Sequence, residues 1–169
     1  MKRSAIRMAA VAALFVAMPA IAKDYTVGKL QISQVWTRVT PPASRVAGGF
    51  MTITNAGTEP DTLIGGSALV SQKIEVHEMS MDAGIMKMRE LKPGLVIRPG
   101  ATVTLKPGSF HIMFIDLKEP IKQGAPLKGS LVFEKAGKID IEYTVEPFGT
   151  RAPGDGGHAM PGAGKGSHH

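Results

Sequence analysis

Residues 77–114, with the sequence HEMSMDAGIMKMRELKPGLVIRPGATVTLKPGSFHIMF, decide the fold of this 169-residue chain. Pro-Gly pairs at 93–94, 99–100 and 107–108 divide the stretch at intervals that force tight turns. Apolar runs lie between these turns, and the chain shows no convincing helical period from Tyr25 onward. We expect about eight to ten short strands, including 30–36, 47–55, 61–68, 72–79, 95–97, 102–105, 110–117, 131–133 and 139–145. This spacing predicts an all-β protein, either an antiparallel sandwich or a Greek-key barrel.

The two ends of the chain differ from its middle. Three basic residues precede an apolar run at 8–17, and Ala-Ile-Ala at 20–22 supplies a small-x-small cleavage site. This pattern is typical of a signal peptide at residues 1–22 and predicts export to the periplasm; the run is too short for a comfortable membrane span. We expect a folded domain at 23–146, with no stable membrane insertion after cleavage. Residues 147–169 contain seven glycines and three prolines, which predicts a disordered tail.

Composition and charge exclude several classes of protein. The formal charge of +6 falls to +3 without residues 1–22, which hold three of the twenty basic residues and none of the fourteen acidic ones. The remaining basic residues form no run and lie among no stacking aromatics, so nucleic acid is not the expected partner. The absence of cysteine excludes a blue-copper electron carrier, whose site needs a thiolate. The folded part has only two histidines and no evident nucleophile–base pair, so we predict that the protein is not an enzyme.

The two histidines of the folded part lie on predicted strands, where alternation decides which way they point. Ile74 and Val76 point to one side of their strand, so His77 points to the other. His111 and Met113 share a face about 6–7 Å apart along the backbone, so one metal ion can take a nitrogen and a sulfur from this strand. The alternatives are a solvated surface histidine for the first, and a buried, hydrogen-bonded histidine beside a gap-filling methionine for the second.

Four methionines, Met79, Met81, Met86 and Met88, surround a turn signal at 80–84. Methionine is commonly core filler, but a loop does not usually gather four large apolar side chains. The cluster therefore indicates a soft-metal site or an exposed adhesive surface. Thioethers and imidazoles together suit Cu(I), and thioethers offer soft sulfur without the risk of disulfide formation in an oxidising compartment.

Two separated motifs carry a resemblance to a known family. HEMSMDAGIMKM at 77–88 and LKPGSFHIM at 105–113, with VWTRVTPPASRVAGGFMTITNAG at 35–57 upstream, closely resemble the PCu(A)C family of periplasmic copper chaperones. The family pattern is a histidine, a methionine eleven residues later, and a closing His-x-Met, as in this chain. The resemblance covers roughly residues 28–145 and implies a cupredoxin-like β-sandwich.

The resemblance also implies a ligand set for Cu(I): His77, Met88, His111 and Met113. Met79 and Met86 are expected as auxiliary ligands. The 22 residues between Met88 and His111 are one more than the family usually has, and we place the extra residue within 89–100. If the extra residue falls elsewhere, Met86 is the substitute for Met88.

The function implied by the resemblance is delivery of copper to a cytochrome c oxidase copper centre. The acceptor would be a respiratory oxidase subunit or another copper chaperone, and we expect the site at an exposed end of the sandwich. A copper buffering or tolerance protein would use the same site, whereas a metal-free β-sandwich interaction module would not need it. The tail suggests a second site, with imidazoles that tolerate Cu(II), at His158, Met160, His168 and His169; its alternative is a merely solubilising tail.

Overall fold

The computed structural model describes residues 23–151, which form eleven strands, slightly more than the sequence predicts. They are β1 (Tyr25–Val27), β2 (Leu30–Arg38), β3 (Val46–Asn55), β4 (Asp61–Ala68), β5 (Ser71–Asp82), β6 (Ile85–Glu90), β7 (Leu95–Ile97), β8 (Thr102–Leu105), β9 (Phe110–Leu117), β10 (Leu127–Phe133) and β11 (Gly137–Glu146). Within this range no helix is long and apolar enough to cross a membrane. The predicted signal peptide and the four candidate ligands of the tail lie outside the described residues.

The strands follow one hydrogen-bonded path in the order β6-β5-β9-β3-β2-β11-β10-β4-β7, with β1 paired to β2 and β8 to β3. Strand β11 joins the two halves of this path, β6-β5-β9-β3-β2 and β10-β4-β7, because residues 137–143 pair with β10 and residues 144–146 pair with β2. The β11–β2 pairing is parallel, whereas the other pairings among the described strands are antiparallel. A parallel pair needs a long crossover, and the eight strands between β2 and β11 in the chain supply it. The all-β prediction is confirmed.

Alternation along β5 and β9 builds one side of the core. Ile74 and Val76 of β5 and Ile112 and Phe114 of β9 are buried, and they share a single apolar cluster with Leu131 of β10 in the other half. Burial of one such side chain stabilises the fold by about 1.5–3 kcal/mol. Because one face of β5 and β9 is committed to this core, the intervening side chains must leave the sheet on its outer face.

The turns explain where the prediction holds and where it is wrong. Gly100 and Gly108 of the Pro-Gly pairs have φ of +67° and +79°, a conformation that glycine adopts without steric cost. The predicted loop at 80–84 is wrong: β5 continues to Asp82, and Ala83-Gly84 alone make the turn, with φ of +48° and +81°. Positive φ at both central residues suits the twist of a two-residue hairpin. The methionine-rich segment is therefore a β-hairpin, which we call the methionine hairpin (β5–β6, residues 71–90).

A small aromatic cluster lies on the outer face, separate from the main core. Trp36 and Phe50 pack with ring centroids 4.6 Å apart, and the Arg38 guanidinium lies 5.5 and 5.6 Å from the two rings. The Phe50 ring occupies the space where a Cβ at Gly48 would lie, and Gly48 pairs with Met113 of β9. The cluster therefore covers the outer face beside β9, and the sequence did not predict it.

Candidate metal centre

His77 and His111 lie directly opposite each other on the antiparallel strands β5 and β9. Their ring centroids are 5.9 Å apart and the ring planes are inclined by 42°. Both leave the sheet on the outer face, yet only 9% of His77 and 5% of His111 are exposed. The alternative of a solvated surface histidine at position 77 is therefore wrong, and the strand register brings together the two imidazoles that the sequence singles out.

The hydrogen bond of His111 fixes which of its nitrogens is free. Nδ1 of His111 lies 3.0 Å from the backbone carbonyl oxygen of Ser109. Because a carbonyl oxygen can only accept, Nδ1–H donates and Nε2 retains its lone pair. Burial, with the charge of His77 adding to it, lowers the pKa of His111 below its usual 6.5, against the opposing effect of the Ser109 carbonyl. The neutral form, which is the form that binds a metal, is thus favoured.

His77 has the opposite arrangement of its two nitrogens. Nε2 lies 2.7 Å from Oε2 of Glu75, and this carboxylate can only accept, so Nε2–H donates to it. Nδ1 of the neutral ring then carries a lone pair, and this buried atom has no hydrogen-bond partner within the described residues. A buried acceptor without a partner costs free energy, on the order of 1–3 kcal/mol. A cation bound at this nitrogen would remove that cost, which fits a metal ligand.

Glu75 is a functional candidate that the sequence analysis missed. Its other oxygen, Oε1, lies 2.5 Å from Nζ of Lys73, so the carboxylate is held between a lysine and a histidine on the same face of β5. Hydrogen bonds from Lys73 and from His77 hold the pKa of Glu75 below its usual value, although partial burial opposes them. The available signal was Glu-x-His on a strand, since residues two apart share a face. A carboxylate on a histidine N–H is the usual device that orients a metal-binding imidazole.

The candidate thioethers surround the histidine pair on the same outer face. Met113 is half-buried and lies directly opposite Glu75, in the rung of the β5–β9 ladder two residues from His77. Met88 lies directly opposite Met79 across β5 and β6, in the rung two residues from His77 on the other side. Met88 is 51% exposed, whereas Met79 is half-buried. The predicted ligands thus come together on three neighbouring strands, with a solvent-exposed methionine at the rim.

The register also bears on the choice between the two candidate methionines of β6. Met86 points to the same outer face as Met88, but it pairs with Met81, one rung farther from His77. Met88 therefore has the nearer position in this strand register. Among residues 23–151, no three His, Cys, Asp or Glu side chains are grouped so as to hold a metal ion. The candidate donor set is two imidazole nitrogens with neighbouring thioethers, which is a soft set suited to Cu(I).

Solved structures with this arrangement of strands identify the class of protein. The copper-bound PCuAC domain from PmoF2 is 28% identical, with a TM-score of 0.63, covering 74% of this chain and 98% of that one. The apo PCuAC domain from PmoF1 is 26% identical, with a TM-score of 0.63, covering 74% and 99%. The solution structure of Cu(I)-DR1885 from Deinococcus radiodurans has a TM-score of 0.55 over 73% and 80% of the chains; at 24% identity it shows the fold alone. The fold is that of a PCuAC domain, which confirms the predicted cupredoxin-like sandwich.

The family follows from the sequence match. This chain belongs to the family described as "Putative lipoprotein LpqE-like", whose pattern matches residues 30–145. A named relative, "Putative lipoprotein Lxx21020" from Leifsonia xyli subsp. xyli (strain CTCB07), is 28% identical over 119 residues, which are 70% of each chain. The match begins at the first residue of β2 and ends one residue before the end of β11, so it spans the strands that carry the candidate site.

Proposed function

We propose that this chain is an exported, non-enzymatic copper chaperone that binds Cu(I) at the histidine pair and passes it to a copper centre of cytochrome c oxidase. The proposed ligands are His77, Met88, His111 and Met113. The observation that carries the proposal is the pair of directly opposed, buried imidazoles, each oriented by one hydrogen bond and each left with one free ring nitrogen. The likeness to a copper-bound PCuAC domain supports copper as the cargo.

The donor set favours a monovalent ion that can be handed on. Two neutral imidazoles and two thioethers bring no negative charge, and thioether sulfur prefers Cu(I) to Zn²⁺, whose usual ligands are thiolate, imidazole and carboxylate. The histidines are buried, whereas Met88 at the rim is half exposed. An acceptor's ligand can therefore displace the rim thioether first, while the imidazoles still hold the ion.

Export is part of the proposal. The features of residues 1–22 are those of a signal peptide, and a related protein is described as a lipoprotein. Copper insertion into an oxidase outside the cytoplasm requires a carrier in that compartment, where thioethers, unlike thiolates, cannot be lost to a disulfide. We also propose an additional Cu(II) site at His158, Met160, His168 and His169. Deletion of residues 150–169 should then lower the number of Cu(II) ions bound per chain, and an unchanged number would reject this site.

The test is anaerobic loading of the mature chain with Cu(I), followed by X-ray absorption to count nitrogen and sulfur neighbours. We expect both donor types around one ion. His77→Ala and Met113→Ala should each weaken Cu(I) binding, His77→Ala by more than about 100-fold, because loss of an outer hydrogen-bond partner alone typically costs 10- to 100-fold. If neither substitution changes copper binding or copper-dependent oxidase assembly, the metal-free interaction module is the better description.

A further inference from the structure

The methionine hairpin carries more thioethers than the proposed ligand set needs. On its outer face, Met79 lies opposite Met88 and Met81 lies opposite Met86, so four methionines occupy two successive rungs. The histidine pair is the next rung inward. The hairpin extends past the end of β9, because Glu78 is the last residue of β5 that pairs with β9. The outer rung, Met81 and Met86, therefore stands clear of the rest of the sheet.

Burial does not account for the outer rung. Met81 is 66% exposed and Met86 is 56% exposed, so most of the free energy that an apolar side chain gains by burial is not realised. The opposite face of the same hairpin carries charged pairs beyond Ile85 at the turn: Lys87 pairs with Asp82 at 2.5 Å, and an ion pair between Glu78 and Arg89 lies beside it. Between Met79 and Met88, the hairpin thus holds its sulfur atoms on one face and its charges on the other.

The spacing lets these sulfur atoms share one ion. Directly opposed residues of an antiparallel pair have Cβ atoms about 4.5–5.5 Å apart, and successive rungs on one face are about 7 Å apart. Methionine is unbranched and has three rotatable bonds in its side chain, so its sulfur can adjust to a neighbour over such distances. The outer face of the hairpin from Met79 to Met88 contains no carboxylate and no imidazole. A thioether-only group of this kind suits Cu(I) and offers little to Zn²⁺ or Cu(II).

We propose that Met81 and Met86, with Met79 and Met88 behind them, form a second, weaker Cu(I) site, through which the ion passes on its way to and from the histidine pair. This inference rests on the proposed function for the direction of transfer, but not for the existence of the second site. Met79 and Met88 belong to both places, so Cu(I) can move between them by exchanging one thioether at a time. No change in oxidation state is involved, and the donors carry no protons to release.

The experiment uses the full mature chain and Cu(I) supplied as its acetonitrile complex without oxygen. Met81→Leu/Met86→Leu removes both sulfur atoms and keeps similar volume and apolarity, a substitution that folds generally tolerate. The matched control is Ile85→Leu, which alters an exposed apolar residue (63% exposed) on the opposite face of the hairpin. Wild type and control should bind two Cu(I) per chain, and the double variant one. Transfer of the first Cu(I) to a chelator should be at least fivefold slower in the double variant than in wild type and control.

A second background separates this proposal from the proposed function. His77→Ala/His111→Ala removes the imidazole site, and this variant should still bind one Cu(I) with sulfur neighbours only. Adding Met81→Leu/Met86→Leu to the same variant should abolish that binding. If wild type binds no second Cu(I), or if the leucine substitutions alter neither its stoichiometry nor its transfer rate, the outer site does not exist, whatever the result at the histidines. A second Cu(I) that depends on the hairpin without any copper at the histidine pair would support the outer site and reject the proposed function.

Discussion

The orientation of His77 by Glu75 is the contact whose removal best tests the candidate centre. Glu75→Ala deletes the acceptor 2.7 Å from Nε2 of the ring and leaves the two imidazoles and the methionines in place. The ring can then rotate, and its proton can shift to Nδ1, which is the nitrogen we expect to bind copper. The variant should lose the preference of the His77 proton for Nε2, and with it the constant availability of the Nδ1 lone pair for copper.

The expected magnitude follows from the charge of the acceptor. A hydrogen bond to a charged group contributes about 1.5–3 kcal/mol, and the loss of an outer partner typically weakens metal binding by about 10- to 100-fold, which is about 1.4–2.7 kcal/mol. We expect Cu(I) affinity to fall within that range in Glu75→Ala. Glu75→Gln keeps a neutral acceptor at the same place, so its loss should be smaller, about three- to tenfold.

The assay is competition for Cu(I) with a chromogenic chelator at pH 7.5, under anaerobic conditions, alongside ¹⁵N NMR of the imidazoles. In wild type the NMR spectrum should report the proton on Nε2 of His77, and in Glu75→Ala a mixture of the two tautomers. The matched control is Glu78→Ala, which removes a carboxylate from the opposite face of β5, where it pairs with Arg89 at 2.7 Å. An affinity for Glu75→Ala within twofold of wild type, with the fold intact, would refute the reasoning.

Four further predictions concern pH and stability. Protons compete with Cu(I) for the imidazoles, so Cu(I) affinity should fall in acid. Because the pKa of His111 is lowered, the part of this fall that is due to His111 should begin below pH 6.5, at about tenfold per pH unit, and a thioether-only affinity should remain. A chelator titration that is flat from pH 8 to pH 4.5 would exclude histidine ligands. Because the pKa of His111 is lower in the folded, copper-free chain than in the unfolded chain, the unfolded chain binds the proton first as the pH falls. The free energy of unfolding of the copper-free chain should therefore fall as the pH drops below about 6.5, which urea denaturation would measure. Gly66→Ala should destabilise the fold by about 3 kcal/mol, because the added Cβ would overlap the Ser130 carbonyl oxygen. Tyr143→Phe should stabilise the fold by about 1 kcal/mol, because the buried hydroxyl has no hydrogen-bond partner within the described residues. Thermal melts measure both, and a change in melting temperature of the opposite sign would contradict the prediction concerned.

Much of the site could be predicted from the sequence because side-chain direction along a strand depends only on parity. Once β5 and β9 are recognised, Ile74, Val76 and Ile112 place the core, and His77 and His111 must point away from it. The Pro-Gly turns could be predicted for a similarly local reason, since they depend on the φ preferences of two residues. The methionine-rich segment could not, because a two-residue turn at Ala83-Gly84 and a longer loop share the same composition.

The sequence by itself determined that the chain is all-β and that His77, His111 and Met113 lie on the strand faces opposite the core, since a period of two is a local property of the backbone. Only the tertiary structure decided which of them meet. The direct opposition of His77 and His111, the contact of Glu75 with one ring, and the methionine rungs all depend on how β5 pairs with β9 and β6. Strand order and register are set by non-local packing, because a slip of one residue would turn every one of these side chains to the other face.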